Sequence, residues 1–190
     1  VNKNILNIFE SATNQEYHSG LYWYENARNI TVDMSNEFGI PLKKVAAIIS
    51  VLSAGTDWQR NIIDAQNILK GWIENKIGDI VVTTYGHNKK KALSILSNED
   101  DEFEFPITGR YYKTLCFYDN IINPESERVT IDRHAGKIYS GAKYPGELMI
   151  RGKKYLTIEK SFIRTAKTLG LMPYQLQAIT WVTYKRLVNR

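Results

Sequence analysis

A single cysteine, Cys116, stands among the 190 residues. One thiol excludes an intramolecular disulfide and any iron–sulfur cluster held by cysteines of this chain. Set in the apolar run TLCFY, it reads as a buried, inert thiol. Histidine is nearly as scarce: His18, His87 and His134 show no spacing that would gather metal ligands, so neither a metal nor a cofactor is expected. No apolar stretch approaches the roughly 18 to 20 residues that cross a bilayer. The opening VNKNILNIFE has neither the basic nor the apolar region of a secretory leader. The expected location is the cytoplasm, with no membrane contact. Internal repeats and low-complexity tails are also lacking.

What is present suits a soluble globular chain. Apolar residues make up 43% and charged residues 24%, enough for a core and an ordinary surface, and the net charge is +5. A modest basic excess suits a phosphate-rich partner without requiring one. The length fits one domain, expected to be monomeric.

Apolar spacing predicts helices along most of the chain. Ile5, Leu6, Ile8, Phe9 and Ala12 mark one over 4–17, with Gly20 as its breaker; a second runs over 21–38 and stops at Gly39. The third, 42–52, is apolar on nearly every face (VAAIISVL) and belongs at the centre of its domain. Thr56 or Asp57 can cap a fourth, to about residue 75. IVVTTY is a short strand or an extended loop, and local pattern does not decide. Further helices are predicted over 88–96, 111–122, 132–139 (with Asp132 as cap), 155–169 and 173–189. The fold class is all-α.

Four segments, in order, resemble the helix-hairpin-helix DNA glycosylases, the superfamily containing endonuclease III. They are VAAIISVLSAGTDWQRNIIDA (45–65), TTYGHNKKKALSIL (83–96), FPITGRYYKTLCFYDNI (105–121) and VTIDRHAGKIYSG (129–141). The chain is also similar to small bacteriophage proteins that carry an apolar-I-D-x-H-A segment and a C-terminal QAITW helix. The resemblance implies one helical domain over 1–190, with a glycosylase-like core over 45–141, a hairpin near 105–113, and C-terminal helices over 153–190 completing the bundle. For a phage-encoded chain the location would be the host cytoplasm.

The same resemblance implies a site. Cleaving an N-glycosidic bond leaves positive charge on the sugar, which an adjacent carboxylate stabilises; in bifunctional members a neutral lysine amine attacks the anomeric carbon and leaves a Schiff base. Lys113 and Asp132, nineteen residues apart, match the family's lysine and aspartate at successive helix starts. Asp132 can equally be a helix cap and nothing more, and Lys113 an exposed helix lysine. DNA, duplex or single-stranded, is the implied partner. Thr108, Gly109 and Arg110 would form the phosphate-binding hairpin, although Ile107 replaces its first glycine. Lys89, Lys90, Lys91, Arg133 and Lys137 are further phosphate contacts or solvated cations. His134 would orient its loop beside a base pocket with Tyr112. Gly55 stands where many relatives place the glutamine that fills the gap left by a flipped base, so Trp58, Gln59 or Tyr85 would have to supply the wedge. A catalytically silent DNA-binding module, a base-modifying enzyme and a host-interaction protein are the alternatives. The last fifty residues read as scaffold.

Overall fold

Asn2 opens the first helix by accepting the backbone N–H groups of Asn4 and Ile5 on its side-chain oxygen, the usual capping role of asparagine. The computed structural model describes residues 1–99, 105, 112–141 and 150–188. Among these, the regular structure is helical throughout: α1 (Lys3–Glu10), α2 (Asn14–Leu21), α3 (Trp23–Phe38), α4 (Leu42–Leu52), α5 (Trp58–Ile73), α6 (Gly86–Leu96), α7 (Tyr112–Ile122), α8 (Arg133–Ser140), α9 (Gly152–Leu169) and α10 (Pro173–Val188), with a 3-10 turn at Ile77–Asp79. The all-α expectation holds, and no strand occurs among the described residues.

The single helix predicted over 4–17 is two. The chain breaks at 11–13 because Thr13 and Glu16 form a capping box: the Thr13 hydroxyl accepts the Glu16 N–H while the Glu16 carboxylate accepts the Thr13 N–H. Gly20, expected as a breaker, lies within α2. A Cβ there would come 2.3 Å from the Ile179 Cα, so its small size lets α2 press against the backbone of α10.

The chain divides into two compact units, Val1–Ala27 with Ile107–Arg190, and Arg28–Pro106. In the first, α10 packs on α1, α2, α8 and α9. Their shared core includes Ile5, Ile131, Ile138, Ile158, Phe162 and Leu176, all essentially without solvent contact. Gly141 and Gly170, in the left-handed conformation, close α8 and α9.

In the second unit every residue of α4 from Lys44 to Leu52 is buried, and α5 and α6 pack on it. The apolar run alone predicts this, except for Lys44, whose amine bonds the Asn98 carbonyl at 2.7 Å, just past the end of α6. IVVTTY is loop rather than strand. The buried Asp64 carboxylate of α5 holds it by accepting the Thr83 N–H (2.9 Å), the Thr83 hydroxyl (2.8 Å) and the Thr84 N–H (3.3 Å). Among the described residues no helix is long and apolar enough to cross a membrane.

Candidate active site

Asp132 is delivered by a non-helical segment, 128–131, with no strand beside it among the described residues. Side chains satisfy its backbone instead, as buried polar groups require. The Tyr155 hydroxyl accepts the Ile131 N–H at 2.9 Å and donates to the Val129 carbonyl at 2.7 Å. Glu159, on the same face of α9, accepts the Val129 N–H at 3.1 Å. The Asn120 side-chain amide donates to the Arg128 carbonyl at 3.2 Å. With Val129 and Ile131 in the core, Asp132 emerges at a defined place.

There it caps α8. One carboxylate oxygen, Oδ1, accepts the Ala135 N–H at 2.7 Å, a contact that contributes about 1 kcal/mol. The other, Oδ2, accepts the indole N–H of Trp181, from α10, at 3.2 Å. The carboxylate is thus held by two donors from two helices and is half-buried.

Around it lies an aromatic and cationic cluster. The His134 ring stands nearly perpendicular to that of Trp181, 6.4 Å between centroids, and 5.9 Å from that of Tyr184. Its buried Nδ1 has no hydrogen-bond partner among the described residues. Burial is the largest influence on His134 and lowers its pKa; the Asp132 anion opposes this, while Arg133, Lys137 and Lys185 add to it. The Lys185 amine sits 4.3 Å from the centre of the Trp181 ring, a cation–π distance. Behind Asp132, the buried Tyr24 donates its hydroxyl to Gln177 at 3.2 Å. Desolvation, with the nearby Asp132 charge, pushes that phenol above the ordinary tyrosine range.

Lys113 is exposed in the first turn of α7. Its neighbour Tyr112 turns inward: the hydroxyl donates to Glu159 at 3.0 Å, and the ring meets Tyr155 edge-on at 5.0 Å. The Arg128 guanidinium lies 5.7 Å from the Tyr112 ring. Burial, assisted by the Glu159 charge, pushes the Tyr112 phenol up to about 12. Cys116, 3.7 Å from Glu159, is buried as expected, and burial likewise pushes its thiol up to about 12. One carboxylate therefore fastens both the start of α7, through Tyr112, and the segment entering α8, through Val129.

The remaining sequence-predicted residues fall elsewhere. Arg133 is exposed and Lys137 half-buried, both on α8. In the second unit Trp58 is half-buried and Gln59 exposed at the start of α5. The Lys89 amine bonds the Ile80 carbonyl, which makes it a structural tie; Lys90 is exposed and Lys91 half-buried. Tyr85 is 59% exposed and stacks on His87 at 5.6 Å. Gly55 has a physical reason to be glycine: its φ is +78°, and a Cβ would lie 2.9 Å from the Tyr85 ring. Thr108, Gly109 and Arg110 lie outside the described residues.

Sequence reasoning missed Trp181, Lys185, Tyr155 and Glu159, having read the C-terminal residues as scaffold. The spacing Trp181-x-x-x-Lys185 on one helix face was the available signal. No group of three or more His, Cys, Asp or Glu side chains is gathered for a metal among the described residues.

A family model described as "Family of unknown function (DUF7178)" matches residues 1–187, and the chain belongs to that family. No curated protein and no solved structure matches it.

Proposed function

We propose that this member of the family is a DNA glycosylase-like enzyme on a helix-hairpin-helix type of scaffold. It breaks the N-glycosidic bond of a damaged or modified base in cytoplasmic DNA, with Asp132 as the carboxylate that stabilises the sugar cation. The observation that carries this reading is the state of Asp132: it is oriented by the Ala135 N–H and the Trp181 indole, with no arginine or lysine closing a salt bridge to it among the described residues. In the reaction the bond between C1′ and the base nitrogen breaks, and the electron pair leaves with the base. Positive charge then develops on the sugar ring. A carboxylate already held by two donors stabilises that charge without reorganising. Water adds to C1′ and gives up a proton, which the departed base takes up.

Lys113 holds the second role. In a lyase branch its neutral amine nitrogen bonds to C1′ as the base departs with the glycosidic electron pair; the amine then loses a proton, the C1′–O4′ bond opens with its pair and a proton going to O4′, and a Schiff base remains. Its place in the first turn of α7, which Glu159 fastens together with the approach to Asp132, supports the pairing. Asp132 is the held group and Lys113 the exposed one, so the reading leads with Asp132.

A second reading, a silent DNA-binding module, draws on the same contacts, because capping by itself accounts for the Ala135 bond. One experiment separates the two. Oligonucleotides carrying deaminated, oxidised and alkylated bases are incubated with the protein and with Asp132→Asn and Lys113→Ala, free base is measured, and borohydride trapping follows. Base release that disappears in Asp132→Asn supports the enzyme; a trapped adduct that disappears in Lys113→Ala supports the lyase branch. Salt-dependent binding with no release from any substrate leaves the silent module, and full activity in Asp132→Asn removes Asp132 from the chemistry.

A further inference from the structure

Three cationic side chains, Arg133 and Lys137 from α8 and Lys185 from α10, act on the His134 ring, against one anion, Asp132. None of the three makes an ion pair among the described residues. Three cations against one anion leave a net positive field at that place.

Lys185 differs from an ordinary solvated lysine in where its charge is held. The residue is exposed, yet its amine rests 4.3 Å from the Trp181 centroid, and Trp181 is itself fixed by its N–H bond to Asp132. Trp181 further meets Trp23 edge-on, at 6.4 Å between centroids, which braces the indole from a third helix. The amine is therefore registered against the carboxylate through one rigid ring, while its N–H donors stay available to solvent. A cation seated on the ring that donates to the Asp132 carboxylate, exposed and without an ion pair among the described residues, suits an anion that is part of the substrate.

We propose that the α10 face bearing Trp181 and Lys185 belongs to the nucleic-acid contact of the Asp132 site, with Lys185 taking a backbone phosphodiester beside the nucleotide on which Asp132 acts. Arg133 and Lys137, on α8, add positive charge near His134. The indole gives the carboxylate and the phosphate-binding amine a common reference, so that seating one phosphate sets the sugar's position relative to Asp132. This rests on the nucleic-acid reading of Asp132, and the test separates the two.

Binding of a fluorescent duplex containing a tetrahydrofuran abasic analogue is measured by anisotropy across a salt series for the wild type, Lys185→Gln and Lys160→Gln. Lys160 is an exposed lysine of α9 and controls for net charge. Each lost duplex phosphate contact lowers the slope of log K against log salt by about 0.9. The expected result is a slope reduced by about that amount in Lys185→Gln and unchanged in Lys160→Gln. Wild-type slopes in both variants, on a background of clear salt-dependent binding, would overturn the assignment of Lys185 and leave the nucleic-acid reading standing. Equal reductions in both variants would likewise overturn it, since the effect would be one of net charge. No binding by the wild type removes the nucleic-acid reading, and this inference with it.

Discussion

Replacing Asp132 by asparagine separates a structural carboxylate from a chemical one. Asparagine caps helices about as well as aspartate, so the substitution keeps the shape and one acceptor. It cannot serve both neighbours. Ala135 and Trp181 each present an N–H, at 2.7 and 3.2 Å, and whichever way the amide turns, its NH₂ faces one of them. An unpaired buried donor costs about 1–3 kcal/mol, and the half-exposure of Asp132 places this case near 1 kcal/mol. For a chain of this size that is a fall in Tm of about 2–4 °C. Trp181→Phe removes the same contact from the other side, so the two changes should be non-additive, with a coupling of about 1 kcal/mol. Circular dichroism of the four proteins measures it. Base release reads the chemistry independently: loss of a preorganised electrostatic group costs about 10²–10³ in rate, far beyond what a few degrees of Tm explains at 25 °C. Additive stability effects would show that the indole bond contributes nothing, and an unchanged rate of base release would reduce Asp132 to a cap.

The Glu16 carboxyl is held at about 2, well below its ordinary 4.5, chiefly by its hydrogen bond from Arg186. A depressed carboxylate stabilises the fold above its unfolded pKa, and that contribution is lost as pH falls from 4.5 toward 2; Glu16→Gln, which retains the capping geometry, should flatten the acid limb of a urea-denaturation series by about 1 kcal/mol. Gly20→Ala should cost about 3 kcal/mol, because the new methyl meets the Ile179 backbone at 2.3 Å. Gly78→Ala, which enters open space, should stay within about 0.5 kcal/mol, and thermal melts compare the two. His134 has a folded-state pKa lowered from 6.5 by burial. Its neutral form is therefore favoured in the fold, and the stability this supplies is present above 6.5 and lost as pH falls below it. In His134→Phe the decline in urea midpoint between pH 6.5 and 5 should be shallower than in the wild type, and an identical decline would assign it to other groups.

The elements legible in the sequence are those whose causes are local. The apolar surface of α4, the Asp57 cap of α5 and the Asp132 cap of α8 each follow from residues within a turn or two. The break between α1 and α2 is also local, in the Thr13–Glu16 capping box, but apolar periodicity runs through it and hides it; Gly20, a breaker by its pattern, lets two helices touch. The loop at 80–85 stayed undecided because its organiser, Asp64, lies 19 residues before Thr83. Trp181 meets Asp132 across 49 residues and Glu159 meets Val129 across 30. No window on the sequence pairs such residues, so the carboxylate of the candidate site was legible and its supports were not.

Capping does not preclude the proposed chemistry at Asp132. An ionised carboxylate offers about four lone-pair directions; the Ala135 and Trp181 N–H groups occupy one on each oxygen, leaving about two for an approaching cation. The two bonds that stabilise α8 also prevent the carboxylate from turning away, the condition under which electrostatic stabilisation needs no reorganisation. The second donor comes from another helix, and the ring that carries it also carries a cation at 4.3 Å. The indole thus touches a carboxylate at its edge and an amine on its face, and under the proposed function a nucleotide, with a phosphate on one side of its sugar and a developing cation within it, would present the complementary pair.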